Sequence, residues 1–116
     1  MTLVDTSVWI DHLQKGNSQL EKLLKENNVL IHPFIIGELS LGIIKNREEI
    51  LGLLNELPLA TVANHEEVLA FIEVNELMGT GIGWIDAHIL ASMRISNANM
   101  LTTDKAMLNA MKKLSK

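Results

Sequence analysis

The strongest constraint on this chain is an alternation. Short apolar runs at Leu3–Val4, Val29–Ile31, Leu59–Val62 and Asn99–Thr103 are separated by longer segments with helical spacing. Strands joined through helices pair in parallel, because each helix carries the chain back across the sheet. A parallel sheet needs cover on both faces, so the expected fold class is α/β with helices above and below. A length of 116 residues predicts one domain over positions 1–116.

The helical segments have readable ends. Residues from about Thr6 to Leu13 read as helix, stopped by Gly16. Asn17 can cap a second helix with Leu20, Leu23 and Leu24 on one face. Pro33 suits a helix start, and Phe34–Ile44 is apolar almost all round. That predicts a buried helix, or one that packs on another subunit. Asn46 to Glu49 resembles a capping box opening a helix to about Leu57. Asn64 and Glu67 give a second box, with helix to about Met78. Gly79, Gly81 and Gly83 predict a loop, then Trp84 to Ser96 a helix. Asp104 should begin a last helix whose lysines sit at the end that the dipole favours.

Composition removes several classes of protein. Hydrophobic residues make up 47% and charged residues 21%, which describes a packed chain. No apolar run reaches the roughly 18 residues of a membrane span, and no signal peptide is visible. With no cysteine there is no thiolate metal site, and a cytoplasmic location is expected. A net charge of −4 argues against holding phosphates by side-chain charge alone. Aromatic residues for stacking are few: Trp9, Trp84, Phe34 and Phe71. A nucleic-acid partner would then require positive charge from a bound divalent cation.

Of 14 acidic residues, four lie in apolar surroundings: Asp5 in LVD, Glu38 in FIIGELSLG, Asp86 in GWIDAHILAS and Asp104 in MLTTD. Asp86 falls within the stripe Ile82, Ile85, Ile89, Leu90 and Met93. A charge there is costly unless paired or metal-bound. Asp5 and Asp104 also suit helix N-caps, at the ends of predicted strands where ligands bind in open α/β folds. Only Arg47 and Arg94 offer guanidinium partners. Four isolated acids with few counter-ions favour a shared cation, and oxygen ligands suit Mg²⁺ or Mn²⁺. A metal-activated water is the expected nucleophile, because no side chain is an obvious general base.

These residues carry a resemblance. LVDTSVWIDHL, ELSLG, GWIDAHILAS and LTTDKAM occur in the order found in PIN-domain ribonucleases, and the chain closely resembles the VapC toxins of toxin–antitoxin pairs. The resemblance implies a three-layer α/β/α sandwich with a short parallel central sheet. It also implies Mg²⁺- or Mn²⁺-dependent cleavage of an RNA substrate, leaving a 5′-phosphate and a 3′-hydroxyl. A small cognate antitoxin would inhibit the enzyme, and a homodimer is expected. By position, Asp5, Glu38, Asp86 and Asp104 correspond to the family's acidic quartet, as catalytic residues and metal ligands. Thr6 or Ser7, and Thr102, correspond to supporting hydroxyls. Thr103 replaces a common Arg and Met107 a common aromatic residue, which leaves substrate grip and identity open.

The remaining candidates read more plainly. His12, His32, His65 and His88 lack zinc-hydrolase spacing and are expected to be structural or surface residues. Trp9 and Trp84 are expected in the core. Lys15, Lys45, Arg47, Arg94 and Lys105 are scattered, while Lys112, Lys113 and Lys116 form a terminal cluster. A phosphatase of the haloacid dehalogenase type would need Asp where Ser7 stands, and a receiver domain would need adjacent early acids. The main rival is a PIN-like RNA-processing or regulatory binding module with little nuclease activity.

Overall fold

A computed structural model of the chain describes residues 1–114. Strands β1 (Thr2–Val4), β2 (Val29–Leu30) and β3 (Asn99–Leu101) form a parallel sheet in the order β2-β1-β3. Leu3 pairs with Leu30 on one side and Met100 on the other. All three residues of β1 are buried. Successive strand side chains point to opposite faces, so burial of all three requires cover on both sides. The helices are α1 (Thr6–Lys15), α2 (Ser18–Lys25), α3 (Pro33–Ser40), α4 (Arg47–Glu56), α5 (His65–Val74), α6 (Trp84–Ile95) and α7 (Lys105–Leu114). The α/β sandwich with a short parallel sheet is as the sequence predicts.

The caps explain most helix boundaries. Asn17 accepts the Leu20 N–H at 3.0 Å, and Asn64 and Glu67 exchange two bonds of 2.9 Å in a complete capping box. The box expected at Asn46 does not form. Asn46 sits at φ 56° and ψ 47°, outside the extended region that aims a capping side chain at the first turn. Helix α5 also stops before Met78, because Glu76 turns left-handed at φ 51° and Leu77 N–H closes back on Ile72 O.

Two further expectations are corrected. The run Leu59–Val62 is no strand: only Leu59 bridges to Ile31. Beyond it, Thr61 N–H donates to the hydroxyl of Ser96, the residue that ends α6, and Ala63 N–H to that of Ser92 on α6, so the ladder ends there. The apolar segment Phe34–Ile44 is not buried all round. Its helix ends at Ser40, Ile35 and Leu39 alone are fully inside, and Leu41 and Ile43 lie exposed. Eight residues present only one i, i+4 stripe inward. Lys112 and Lys113 are exposed, while Lys116 lies outside the described residues.

Candidate active site

Parallel strands deliver their carboxyl ends to one rim, and the loops leaving β1 and β3 start there. Asp5 follows β1, and its side chain is buried at 6% exposure. One carboxylate oxygen accepts the Thr6 N–H at 2.8 Å, which caps α1. The other accepts the hydroxyls of Thr102 at 2.8 Å and Ser7 at 3.2 Å. Capping thus takes up one Asp5 oxygen and leaves the other facing hydroxyls. Thr102, just past β3, also accepts the Asp104 N–H at 3.0 Å. Asp104 caps α7 by accepting the Met107 N–H at 2.9 Å, with its own side chain exposed.

Helix α3 brings Glu38 to the same place. Its carboxylate accepts the Thr6 hydroxyl at 2.8 Å. The apolar neighbours of Glu38 suggested burial, yet it is exposed. Ile35 and Leu39 take the inward face and leave Glu38 at the rim. Asp86, in the first turn of α6, is half-buried. Burial pushes its carboxyl above the ordinary 3.8, and the charge of Asp5 adds to the shift. A backbone hydrogen bond from Gly83 opposes it, and Asp104 and Glu38 raise it further. All three other acids therefore lie within electrostatic reach of Asp86.

Among the described residues no Lys or Arg forms an ion pair with this group. Among the described residues the one ion pair is Lys15–Asp11, away from the quartet. Arg47 donates to the carbonyls of Gly42 and Ser40, and Arg94 to that of Leu114. The ten acids that sequence sets aside are exposed, except half-buried Asp11. The quartet is convergent without being a tight cage: among the described residues, no three acids or histidines form a chelating cluster. The donors themselves, carboxylate oxygens with hydroxyls beside them, are of the hard type that suits Mg²⁺ or Mn²⁺.

Five rings form a chain of contacts from buried His32 to exposed His65. His32, Phe34, His88, Trp84 and His65 follow one another at centroid distances of 5.1, 4.9, 4.7 and 5.2 Å. Trp9 is buried as expected, but Trp84 is 40% exposed, because its position in the first turn of α6 leaves part of the indole in solvent. His88 is buried, its Nδ1 has no hydrogen-bond partner among the described residues, and burial lowers its pKa, with His65 adding to the shift. His32 was missed as a cap. Its Nδ1 accepts the Phe34 N–H at 3.0 Å at the start of α3. The signal was present, since a residue preceding Pro at the first helical position occupies the N-cap.

An acidic rim at the carboxyl ends of a short parallel sheet defines a class that comparison with known proteins identifies. The chain belongs to the PIN-domain family, whose model matches residues 2–113. More particularly, it is similar to ribonuclease VapC32 of Mycobacterium tuberculosis, with the same figures for two strains. Identity is 42% over 106 residues, covering 90% of this chain and 86% of the relative. The resemblance to VapC-type proteins read from the sequence is borne out. The fold also matches the crystal structure of PAE2754 from Pyrobaculum aerophilum, with a TM-score of 0.61 and 16% identity. That match covers 99% of this chain and 90% of the other.

Proposed function

We propose that this chain is a divalent-metal-dependent endoribonuclease and the toxin of a toxin–antitoxin pair, acting as one catalytic domain over residues 1–116. The observation that carries the reading is the convergence of Asp5, Glu38, Asp86 and Asp104, with no Lys or Arg paired to any of them among the described residues. Such a group is destabilising alone and is stabilised by a cation. The name of the relative at 42% identity, a ribonuclease, supports RNA as the substrate.

In this reading Asp5 and Asp86 hold Mg²⁺ or Mn²⁺ directly, and Glu38 and Asp104 act through water or at a second ion. When bound, the cation offsets charge on the phosphate and activates water for in-line attack. The chain's own work is orientation. Thr102 and Ser7 donate to one Asp5 oxygen and the Thr6 N–H to the other, which fixes the plane of the carboxylate, and the Thr6 hydroxyl holds one oxygen of Glu38. Cleavage leaves a 5′-phosphate and a 3′-hydroxyl. A cation also resolves the net charge of −4, since phosphate affinity then needs no basic patch.

The antitoxin is proposed as a small protein that places a basic side chain, an Arg, among the acids. A cleft of about 420 Å³ beside Glu38, walled by Ile10, Leu13, Leu39 and Ile44, supports docking of an apolar segment there. A homodimer and a cytoplasmic location belong to the same reading. No described helix is long and apolar enough to cross a membrane.

One observation favours the rival, a PIN-like binding or regulatory module: the acids do not form a chelating cluster. A metal titration separates the two. Purified protein with Mg²⁺ or Mn²⁺ should cut structured cellular RNA, chelator should stop it, and Asp5→Asn or Asp86→Asn should each cost several orders of magnitude. Folded variants that keep near wild-type cleavage would overturn the assignment.

A further inference from the structure

The four acids sit on separate elements, and their spacing depends on how those elements are joined. Asp5 and Asp104 are tied through Thr102, and Glu38 is tied to α1 through Thr6. Asp86 has no such side-chain tie, so its place relative to Glu38 is set by how α6 meets α3. At that junction lies His32, fully buried at 0% exposure. Its Nδ1 accepts the Phe34 N–H of α3, and its Nε2 lies 3.1 Å from the Ser92 hydroxyl oxygen of α6. A nitrogen that accepts a backbone N–H carries no proton, so the neutral ring bears its proton on Nε2 and donates to Ser92. Ser92 also accepts the Ala63 N–H at 3.1 Å, which ties in the strip that leads to α5. Phe34, in the first turn of α3, packs against His88 of α6 with ring centroids 4.9 Å apart and planes tilted by 59°.

We propose that His32 is a positioning residue for the acidic site: its imidazole, bridging the start of α3 to Ser92 of α6, sets the spacing between Glu38 and Asp86. The inference rests on the metal-site reading above. An aliphatic residue would fill the same space but would leave Phe34 N–H and the Ser92 hydroxyl without this partner. A buried, satisfied polar link adds a directional constraint on the distance between two helices beyond what apolar packing supplies. The 3.6-residue repeat puts Glu38 about one turn beyond Phe34, so a shift at the cap is passed directly to the carboxylate.

The test uses the full chain and Mn²⁺ alone, with binding followed by electron paramagnetic resonance and RNA cleavage as a second readout. Ser92→Ala removes the acceptor. His32→Asn keeps an N-cap for α3 while losing the reach to Ser92. Each should weaken Mn²⁺ binding about ten-fold, the low end of what losing a ligand's own hydrogen-bond partner costs, because this link acts one step further from the acids. Half-maximal cleavage should need correspondingly more metal, with kcat at saturating Mn²⁺ changed far less. The double variant should be no worse than either single change, because both break one link. Leu20→Ala, a buried change on α2, should lower the melting temperature and leave Mn²⁺ affinity as in wild type. If wild type binds Mn²⁺ and both variants bind equally well, or if their losses add, His32 does not position the site. If wild type binds no Mn²⁺, the metal reading itself falls, and the positioning role falls with it.

Discussion

Asp86 and His32 titrate in opposite senses, and each sets a pH limit on the metal-free protein. The carboxyl of Asp86 is raised above its ordinary 3.8, first by burial and then by Asp5. Its unfolded form therefore ionises before its folded form. The stability it contributes is present below pH 3.8 and is lost as pH rises through the raised folded value. In chelator at neutral pH, Asp86→Asn should melt higher than wild type, by the roughly 1 kcal/mol typical of a helpful single change. Added Mn²⁺ should raise the melting temperature of wild type and raise that of Asp86→Asn much less. Glu67→Gln, on an exposed face, is the control whose metal response should match wild type. An equal metal shift in all three proteins would dissolve the common site. His32 runs the other way, its pKa lowered from 6.5 to about 4 by burial and by His88. Its contribution is complete above pH 6.5 and is lost as pH falls toward 4, about 3 kcal/mol over the full interval. Melting curves from pH 7 to 4 should fall steeply in wild type and more gently in His32→Asn.

At the scale of elements, the loop between α5 and α6 sets where α6 begins, two residues before Asp86. Gly79 and Gly81 adopt φ of 77° and 91°, which an L side chain reaches only with strain. A Cβ on Gly81 would also meet Ala106 of α7 at 3.7 Å, ordinary contact, so the cost is conformational. Gly81→Ala should destabilise by about 1 kcal/mol or more and weaken Mn²⁺ binding, because it displaces the entry to α6. Gly52→Ala on α4 has nothing within 4 Å and lies in regular helix, so it should stabilise slightly. Calorimetry on the two variants should give opposite signs. Asn64→Ala, which removes the formed capping box of α5, should cost about 1 kcal/mol, whereas Asn46→Ala should cost no cap hydrogen bond, since Asn46 makes none.

For the whole molecule, the proposed role as a toxin gives an outcome in cells. Expression of this chain alone should arrest growth, and co-expression of a small protein encoded beside it should restore growth. The arrest should vanish in Asp5→Asn, because that residue anchors the acidic site through Thr102 and Ser7. Arrest that persists unchanged in the folded variant would show that toxicity does not come from cleavage. The cleft beside Glu38 should be where the partner protects the chain, read as slowed amide exchange in α1, α3 and α4.

Much of this was legible in the residues because it is local. Short apolar runs between helical segments gave the sheet and its cover, and Asn17 and Asn64 marked helix starts through side chains that reach only three residues ahead. Four acids stood out because an unpaired charge among apolar neighbours is costly wherever the chain goes. Other features depended on contacts distant in sequence. Leu59–Val62 has strand composition, yet Ser96 at the end of α6 takes the Thr61 amide and Ser92 the Ala63 amide just beyond the run. Glu38 looked buried by its neighbours and is exposed, since which side of a short helix faces inward is decided by what packs on it. Thr102 lies 97 residues from Asp5 and His32 lies 60 from Ser92, so neither link has a periodicity to reveal it. The sequence by itself determined which side chains can bear the charge and where helices begin. The tertiary structure decided which of them meet, because convergence depends on packing between segments that no local preference encodes.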